Sequence, residues 1–543
     1  MPAPDFAWKV YQVPAHLGGA AGALEAAMPQ EEQLRVEIPD LSEFPAPADK
    51  ARILLETAAE VEHALLVQYL YAAFSLKSSQ EVSDPAQQSA LRDWPEVLLL
   101  IARQEMGHLM TAQNLLLAIR LRPNLEREDF PPRKDLYPFK LHLEPLSQRS
   151  LAKYVAAEAP QDPAGIDDII ALATESAGTI HRVGVIYGLL GVVFSTEQSV
   201  TAGGSGSDPW DMVLRRLAAA AHQQSAASSW HLGDDAIDPQ TLAFQGNTDN
   251  WSGGGVTIHR IGDRAAALEA IRDVAEQGEG PTDSGKASHF DRYQRMYRGG
   301  DGIPPFPPPG AWNPTHAMPT DPRPDAIVEP RTKRWAQLAD LRYGLLLGFI
   351  EHHLLTSDAE DRAHLASWAI NEMFTLRSLA GKLATLPQDN GVAALPFTLP
   401  ASLHLPATEP ERWQLQRERT TAAIGHVQQM QAADPADADE PILSGLLDSD
   451  TANLALMHGG PPPAPTTSFA RDVLPLFRPV DIQHMNDQEL DLTDFDAVRS
   501  RATLISNRLK GQGGRRMPPP PDTPLTAAQI ERFDTWIAEG FPP

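Results

Sequence analysis

The chain has 543 residues, 42% of them hydrophobic, and carries 45 Lys and Arg against 71 Asp and Glu, a formal net charge of −26. The apolar content predicts a large core with room for more than one domain, while the acidic excess argues against nucleic acid and anionic membrane surfaces as partners. Because the chain has no cysteine, disulfides, cysteine-ligated zinc, iron–sulfur clusters and covalently attached haem are excluded.

The sequence also sets expectations about compartment and partners. Its beginning, MPAPDFAWKV, shows no basic segment followed by an apolar one, so we expect no signal peptide. No stretch reaches the roughly eighteen uninterrupted apolar residues of a membrane-spanning helix. We therefore expect a cytoplasmic protein that acts on a small molecule and binds neither nucleic acid nor membrane. A homo-oligomer is compatible with the sequence.

Long helices are predicted along the chain, separated by segments rich in proline and glycine. Residues 1–46 are expected to form a mostly irregular arm, and Pro123–Pro145 an ordered loop. Residues 195–262 form a glycine- and tryptophan-rich insertion, and Pro304–Pro330 is too proline-rich for a helix. The apolar periodicity predicts helices at 48–77, 94–121, 166–194, 264–279, 332–355 and 358–386, and a further helical piece in SHFDRYQRMYRG.

Composition divides the chain into four parts. After the arm, residues 47–430 hold the long helices and predict one mainly α domain with long insertions and additional helices. Residues 431–467, which include ADPADADEP and GGPPPAPTT, are predicted to be a linker. Residues 468–543 have their own pattern of apolar helices and predict a small helical domain.

Glu62 is the first carboxylate that the helical pattern places among apolar residues. Leu65 and Tyr69 follow it on the same face, and Leu55 and Ala58 precede it there. An ionised carboxylate in such an environment costs several kcal/mol unless another group pairs with it. A metal ion or a buried arginine would provide that partner.

Two more polar residues interrupt the apolar face of the next helix. Glu105 and His108 are three residues apart in ARQEMGHLM, on the side that carries Ile101. A Glu-x-x-His pair on a helix places a carboxylate above an imidazole, as in the di-iron and di-manganese centres of four-helix bundles. The alternative is a pair of buried residues that form only hydrogen bonds.

The helix at 264–279 offers two glutamates. Glu276 shares its face with charged residues and should be solvated, whereas Glu279 continues the apolar face, so we prefer Glu279 as a ligand. His289 follows ten residues later, and the intervening GPTDSGKAS could present it to the same site. A histidine that caps the next helix fits this spacing equally well.

The helix at 166–194 lacks a central carboxylate. Val185 occupies the place where a glutamate would be most natural, and Glu175 lies nearer the start of the helix. His181, one turn before Val185 on the same side, could substitute as a ligand. A satisfied histidine that binds no metal is the favoured interpretation of His181.

The stretches around these residues resemble a known family. VEHALLVQYLYAAFSL, RQEMGHLMTAQNLLLAI, LHLEPLSQRSLAKYVAAEAP, AIRDVAEQGEG and SHFDRYQRMY are similar to the ferritin-like domain of the iminophenyl-pyruvate dimer synthase type, which occurs in enzymes of violacein and rebeccamycin biosynthesis. The resemblance extends over about residues 46–390. It implies a ferritin-like four-helix bundle, and it implies that the metal ligands are Glu62, Glu105, His108, Glu279 and His289.

The chain departs from this family at Val185, where the family commonly has a glutamate. This leaves a mononuclear site, or a site completed by His181 or water, open beside a dinuclear one. Iron is the expected metal for a mixed carboxylate and imidazole set, with manganese next and zinc as a further alternative.

The C-terminal segment carries a second resemblance. Its order of helices, its MP turn and its final WIAEG helix are similar to a small cytochrome c-type domain. Val480 and Gln483 stand where such domains have the cysteines that attach haem, while His484 and Met517 remain as axial ligands for a haem held without covalent bonds. We expect a haem-free domain that packs on the main domain or mediates association.

The residues and the resemblance together predict a metal-dependent oxidoreductase, with non-haem iron, that oxidises or couples a small metabolite derived from an amine, imine or keto acid in secondary metabolism. One alternative is a non-catalytic metal-binding or structural ferritin-like protein. Another is a scaffold that has lost its metal. The insertion, with Trp210, Trp230 and Trp251, argues against a protein that only stores iron.

Overall fold

The computed structural model describes residues 7–14, 33–132, 137–160, 164–178, 180–201, 208–252, 255–279, 287–400, 403–458, 467–486, 488, 490–512, 517–518 and 524–542. The chain divides into two compact units, Met1–Leu399 and Pro400–Pro543. Both units are mainly helical, which confirms the predicted fold class. Within these ranges, no helix has the length and apolar character needed to cross a membrane.

The first unit is a helical assembly with two small antiparallel sheets. Its strands are β1 (Trp8–Pro14), β2 (Gln33–Pro39), β3 (Pro387–Gln388) and β4 (Gly391–Val392). Its helices are α1 (Pro47–Ser75), α2 (Pro85–Ala118), α3 (Gln148–Ala157), α4 (Asp167–Ala177), α5 (Val183–Phe194), α6 (Glu197–Thr201), α7 (Pro209–Gln224), α8 (Arg264–Glu279), α9 (His289–Arg298), α10 (Pro330–Leu355) and α11 (Ala359–Leu383).

Four helices form the bundle that surrounds the candidate site. The long helices α1 and α2 pack along each other, α5 packs on α1 and α8, and α8 also contacts α2. The shorter helices α3 and α9 pack together, and α9 touches α2 and α8. Almost every residue of α1 from Thr57 to Leu65 is buried, because apolar neighbours surround this part of the helix on all sides.

Helix α2 begins earlier than its apolar pattern predicts. The carboxylate of Asp84 accepts hydrogen bonds from the backbone N–H groups of Ala86 and Gln87, and Pro85 occupies the first helical position. An aspartate followed by a proline is a strong start signal, since proline lacks the N–H that has no partner in the first turn. The helix therefore starts at Pro85 and continues through Pro95.

The predicted helix at 166–194 is two helices. Helix α4 ends at Gly178, which has a φ of +75° that residues with a side chain rarely adopt, and α5 begins at Val183. Helix α5 is apolar and buried along its whole length, whereas α4 is largely exposed. The two segments therefore differ in both direction and environment.

The arm at residues 1–46 also differs from the prediction. β1 and β2 pair in register from Trp8 opposite Pro39 to Pro14 opposite Gln33. β2 alternates polar and apolar residues in QLRVEIP, which is typical of a half-buried strand, whereas β1, WKVYQVP, does so only in part. Pro14 and Pro39 lie at the strand ends, where they remove no hydrogen bond from the middle of the sheet.

The second unit begins with helices α12 (Glu409–Ala433), α13 (Pro435–Ala438) and α14 (Pro441–Leu456). The last two lie inside the predicted linker, and the boundary predicted at residue 430 falls near the end of α12. Pro435 and Pro441 each occupy the first position of a helix, where the fixed φ of proline favours helix formation. Proline-rich composition is thus compatible with helices here.

The C-terminal part of the second unit has its own apolar core. Its helices are α15 (Pro479–Asn486), α16 (Phe495–Ser500), α17 (Ala502–Leu509) and α18 (Ala527–Ala538). Trp536 is fully buried, and its ring lies 5.6 Å from that of Phe469 and 5.5 Å from that of Phe533. These aromatic contacts join the beginning of the segment to its last helix.

Candidate metal centre

The first group of candidate ligands comes from the two long helices. Glu62 of α1 and Glu105 and His108 of α2 are all buried, and their ligand atoms lie within 4.8 Å of one another. Nδ1 of His108 is 2.8 Å from Oε2 of Glu105 and 3.5 Å from Oε2 of Glu62. The helical phase of both segments therefore brings together the three residues that the sequence singles out.

A second group adds residues from the shorter helices. Glu158, immediately after α3, and His289, at the start of α9, join Glu105 within the same 4.8 Å limit. Nδ1 of His289 lies 3.2 Å from Oε1 of Glu105 and 3.9 Å from Oε2 of Glu158. All three side chains are buried.

Glu105 belongs to both groups. Its Oε2 faces the first group, through His108, and its Oε1 faces the second, through His289. The rings of His108 and His289 are stacked with their centroids 5.4 Å apart. A carboxylate with one oxygen directed to each group is the arrangement needed to bridge two cations, which matches the carboxylate and Glu-x-x-His ligand sets of ferritin-like dinuclear centres.

Neighbouring polar side chains fix the orientation of these ligands. The hydroxyl of Tyr187 donates to Oε1 of Glu62 at 2.6 Å, and the hydroxyl of Tyr69 donates to Oε1 of Glu158 at 2.7 Å. Nε2 of His108 lies 2.7 Å from the amide oxygen of Gln277. Because that oxygen can only accept, Nε2 carries a hydrogen. Nδ1 is the nitrogen on the carboxylate side: it donates to Glu105 when the ring is protonated, and it would offer its lone pair to a cation.

The remaining atoms of the ligand set fit a cation. Among the described residues, Oε2 of Glu62 and both ring nitrogens of His289 have no hydrogen-bond partner although they are buried. Buried polar atoms without a partner are costly, typically about 1–3 kcal/mol each. A metal ion bound by Glu62, Glu105, Glu158, His108 and His289 would satisfy the Glu62 oxygen and one ring nitrogen of His289, and it would balance the three carboxylates.

The pKa values show how strongly the carboxylates affect one another. Burial and the nearby charge of Glu105 raise the pKa of Glu62 to about 7. Burial and the same charge raise the pKa of Glu158 well above its usual range. Burial disfavours the charged form of His108, yet the hydrogen bond to Glu105 and the nearby carboxylate of Glu62 raise its pKa well above that of a free imidazole. Without a cation, protons must therefore balance the carboxylates of this cluster.

Glu279 lies at the edge of this cluster. Its side chain and those of Glu62 and His289 line the same small cavity, but Glu279 is a member of neither three-ligand group. Its Oε1 accepts the backbone N–H of Gly184 at 3.1 Å, and a Cβ at position 184 would approach that oxygen to 2.1 Å. Burial raises the pKa of Glu279 to about 7, against the lowering effect of Arg182 and the Gly184 N–H.

The structure places His181 away from both groups of ligands. Its ring stacks on Trp8 of β1 with centroids 4.1 Å apart, and its Nδ1 lies 3.4 Å from Oε2 of Glu37. The backbone N–H of His181 donates to the carbonyl of Pro138. His181 therefore joins the hairpin and the loop before α3, because the break between α4 and α5 turns it out of the bundle.

The carboxylate expected near Val185 comes instead from Glu158. Val185 is buried in α5, and its neighbours Val183, Gly184 and Tyr187 line the cavity rather than supply a carboxylate. Sequence reasoning missed Glu158 because it follows a short helix next to a predicted loop. A signal exists, since Glu158 continues the apolar face of α3 one turn after Tyr154. The residues 280–286 that connect Glu279 to His289 lie outside the described ranges.

The insertion holds α2 in place next to the ligands. We name residues 245–252 and 255–261 the strap. The side-chain amide of Asn114 donates to the carbonyl groups of Gly246 and His259, and the hydroxyl of Thr111 accepts the N–H of His259. A Cβ at Gly107, between Glu105 and His108, would lie 2.4 Å from the carbonyl oxygen of Thr257. Gly107 therefore lets the strap lie directly on the ligand helix.

The candidate haem ligands lie in the second unit. His484 follows Val480 and Gln483 on α15, and Met517 lies beyond α17. Both residues line one cavity of about 410 Å³. Haem binding by this pair stays a prediction.

The bundle and its buried carboxylates and imidazoles define a ferritin-like domain with a ligand set that could hold metal. The family model described as Ferritin-like matches residues 55–298. The crystal structure of a ferritin-like protein from Caulobacter vibrioides is similar over 61% of this chain and 96% of its own, with 14% sequence identity and a TM-score of 0.34. No curated protein matches the chain.

Proposed function

We propose that the ferritin-like domain is a metal-dependent oxidoreductase with two non-haem iron ions, acting on a small amine-, imine- or keto-acid-derived metabolite in secondary metabolism. The observation that carries the proposal is the shared position of Glu105 between two buried groups of three ligands. A cluster that only stabilised the fold would not need three carboxylates in one apolar interior, since buried ion clusters contribute little net stability.

The donor set favours iron. Carboxylate and imidazole ligands suit iron and manganese, and zinc is a further candidate, whereas soft metals that prefer sulfur find no cysteine in the chain. Bound iron would supply one-electron redox chemistry with dioxygen or peroxide.

The residues of the chain would prepare the site before any metal enters. Tyr187 and Tyr69 each hold one oxygen of a carboxylate, which leaves the other oxygen directed at the cation. Leu65, Val183 and Val274 line the cavity with apolar surface and exclude water from it.

Glu279 is the candidate acid–base group of this proposal. It is buried at the cavity wall, and its pKa of about 7 lets its carboxyl take up or release a proton near neutral pH. The backbone N–H of Gly184 donates a hydrogen bond to the carboxylate of Glu279 and thereby stabilises its ionised form.

The substrate class rests on the resemblance of the five quoted stretches to imine-coupling enzymes. The cavity beside the ligands measures only about 10 Å³, which is about the space of one water molecule. An organic substrate would therefore have to open the site, by moving residues such as Val183 and Gly184 at the start of α5.

The small cavity also favours a second candidate, a ferritin-like domain that binds metal without turning over an organic substrate. Metal ions fit such a space, and an organic molecule does not. The two candidates differ in whether dioxygen consumption by the iron-loaded protein continues after the bound iron has been oxidised.

The metal content of the full chain tests the site. After anaerobic titration with Fe²⁺ and removal of unbound metal, we expect about two iron ions per chain, one in Glu158→Gln and fewer than one in Glu105→Gln, because only Glu105 serves both groups. Glu175→Gln, a substitution at an exposed glutamate on α4, is the matched control and should retain two. Unchanged iron content in both Glu105→Gln and His108→Ala would remove the basis of the proposal.

Dioxygen uptake tests the reaction. The iron-loaded chain is supplied with an aromatic 2-oxo acid and ammonium, which form an imine in solution, and with each compound alone. Sustained uptake that depends on the imine, and that Glu105→Gln lacks, supports the oxidoreductase. Uptake that stops once the bound iron is oxidised, with every compound tested, supports non-catalytic metal binding instead.

A further inference from the structure

The second unit contains an apolar cavity that is separate from the metal ligands of the first unit. It has a volume of about 410 Å³ and lies among α15, α17 and the segments around them. Phe477, Leu492, Ile505 and Leu509 belong both to its wall and to the apolar core of the C-terminal segment. This volume is within the range of small-molecule sites, roughly 300–1,000 Å³.

Exposed apolar side chains mark the rim of the cavity. Leu504 is 53% exposed and Met517 is 36% exposed, and both line the cavity. Large apolar side chains that remain in water next to an apolar hollow are typical of a binding site, because a ligand would remove their surface from solvent. The body of the ligand should therefore be apolar.

Among the described residues that line this apolar space, Arg508 brings a guanidinium. Arg508 is half-buried at the cavity wall, and its guanidinium forms no hydrogen bond or ion pair with another residue in the described part of the chain. A guanidinium offers five N–H donors in a planar fork that matches a carboxylate. Arg508 therefore offers a charged, planar donor group at the wall of an apolar cavity.

The acidic residue at the same wall does not cancel this charge. Asp481 is held by Arg478, whose guanidinium contacts both carboxylate oxygens at 2.7 Å. That hydrogen bond, acting against partial burial, keeps the pKa of Asp481 below its usual range. Asp481 and Arg478 thus neutralise each other, and the charge of Arg508 remains for a ligand.

We propose that this cavity binds an apolar carboxylate, with its hydrocarbon body among Phe477, Ile505 and Leu509 and its carboxylate on the guanidinium of Arg508. Leu504 and Met517 cover the bound molecule at the rim. The proposal concerns binding alone and does not depend on metal in the first unit. Haem shares this chemistry, since it combines an apolar body with carboxylates, but it would add an iron that His484 and Met517 could ligate.

A pair of ligands that differ only in the head group tests the proposal. A dansyl-labelled undecanoic acid is bound to the full chain and displaced with dodecanoate or with dodecanol. We expect dodecanoate to bind about tenfold more tightly than dodecanol, because only the carboxylate can form charge-assisted hydrogen bonds. Equal affinity for the two ligands, or binding of neither, would overturn the proposal.

Two variants test separately whether Arg508 binds the carboxylate and whether the apolar rim binds the hydrocarbon body. Arg508→Gln should weaken dodecanoate about tenfold and leave dodecanol unchanged, whereas Leu504→Trp should narrow the rim and weaken both. Arg532→Gln, at an exposed arginine of α18, is the matched control and should change neither. Circular dichroism of each variant checks that the helices remain. Loss of both ligands in Arg508→Gln with intact helices would contradict the assigned role of Arg508.

Haem titration distinguishes haem from a simple apolar carboxylate as the ligand of this cavity. The proposal predicts that His484→Ala and Met517→Leu change dodecanoate binding by less than about twofold, because neither side chain contacts the carboxylate. If haem binds with a Soret band that depends on His484 while dodecanoate fails to bind, the cavity is a haem site and the proposal is wrong.

Discussion

The interiors of the two units contain opposite kinds of side chain. The ligand cluster of the first unit buries three carboxylates and two imidazoles in an apolar bundle, and every one of them is 6% exposed or less. The C-terminal core of the second unit buries aromatic and aliphatic side chains around Trp536, and its cavity presents one arginine. Among the described residues, the first interior leaves buried polar atoms without hydrogen-bond partners, whereas the second is held together by apolar contacts.

This difference shows which forces determine each region. In the first unit, electrostatics govern the site, because Glu62 and Glu158 are driven toward protonation when no cation neutralises Glu105. In the second unit, removal of apolar surface from water governs the fold, so its stability should be indifferent to metal. The predictions below test that contrast, from the largest expected effect to the smallest.

Removing Glu105, the carboxylate that the two groups share, should have the largest effect. In Glu105→Ala, Fe²⁺ should no longer slow hydrogen exchange in α1, α2 and α9. In the unaltered chain, Fe²⁺ at a hundredfold excess over its Kd should slow that exchange about a hundredfold, the equivalent of about 2.7 kcal/mol. Exchange in α18 should be the same with and without metal. Hydrogen-exchange mass spectrometry measures both units at once, and metal protection of α18 equal to that of α2 would break the contrast.

Loss of the central aromatic should act only on the second interior. Trp536→Ala deletes a fully buried indole and should destabilise the C-terminal core by about 3–5 kcal/mol. Urea unfolding followed by hydrogen exchange in α15 to α18 measures this loss. Iron content should remain at the level of the unaltered chain, and a parallel loss of iron would show that the two interiors are coupled.

Acid should destabilise the first unit, because two of its buried histidines are neutral in the folded state. Burial lowers the pKa of His63 and of His353 to about 3, far below that of a free imidazole. The folded state therefore binds fewer protons than the unfolded state between about pH 6.5 and pH 3. Stability is fully present above that window and falls with pH inside it, by at most about 1.4 kcal/mol per pH unit for each histidine.

Urea unfolding between pH 7 and pH 5 measures this slope. Replacing His63 by Gln should make the slope shallower, since one of the two histidines whose pKa lies near 3 is removed. The variant should also be less stable at pH 7, because His63 forms hydrogen bonds with Tyr343 and with the Leu125 carbonyl. An unchanged slope in His63→Gln would show that His63 is not responsible for the acid effect.

The smallest effect should come from His181. In His181→Ala the iron content should be unchanged, because the ring contacts Trp8 and Glu37 rather than the ligands. The hairpin should lose about 0.5–1.5 kcal/mol of aromatic stacking, detectable as faster exchange in β1. Loss of iron in this variant would restore His181 as a ligand.

Helical phase predicted the centre of the site but not its full ligand set. Glu62, Glu105 and His108 interrupt long apolar stripes, so a 3.6-residue period reveals them. Glu158 and His289 lie at the ends of short helices, where a stripe is too brief to mark a single polar residue as buried. Their approach to Glu105 depends on how α3 and α9 pack, which no local pattern encodes.

The same limit explains the misplaced expectations about the fold. Apolar residues on both sides of TESAGTIHR suggested one helix and concealed the break at Gly178, and His181, which was considered as a substitute ligand, lies outside both ligand groups. Proline content suggested irregular structure in the arm and the linker, yet proline at strand ends and at first helical positions is compatible with regular structure. Position within an element matters more than composition in these segments.

Gly107 allows the strap to contact the turn of α2 that carries Glu105 and His108. Because the carbonyl of Thr257 occupies the space where a side chain at position 107 would begin, α2 can neither rotate nor slide there without displacing the strap. Thr111 and Asn114, further along α2, form hydrogen bonds with the strap. Any side chain at position 107 would therefore displace either the strap or the turn of α2 that carries Glu105 and His108, so the spacing of these two residues depends on a glycine that lies between them.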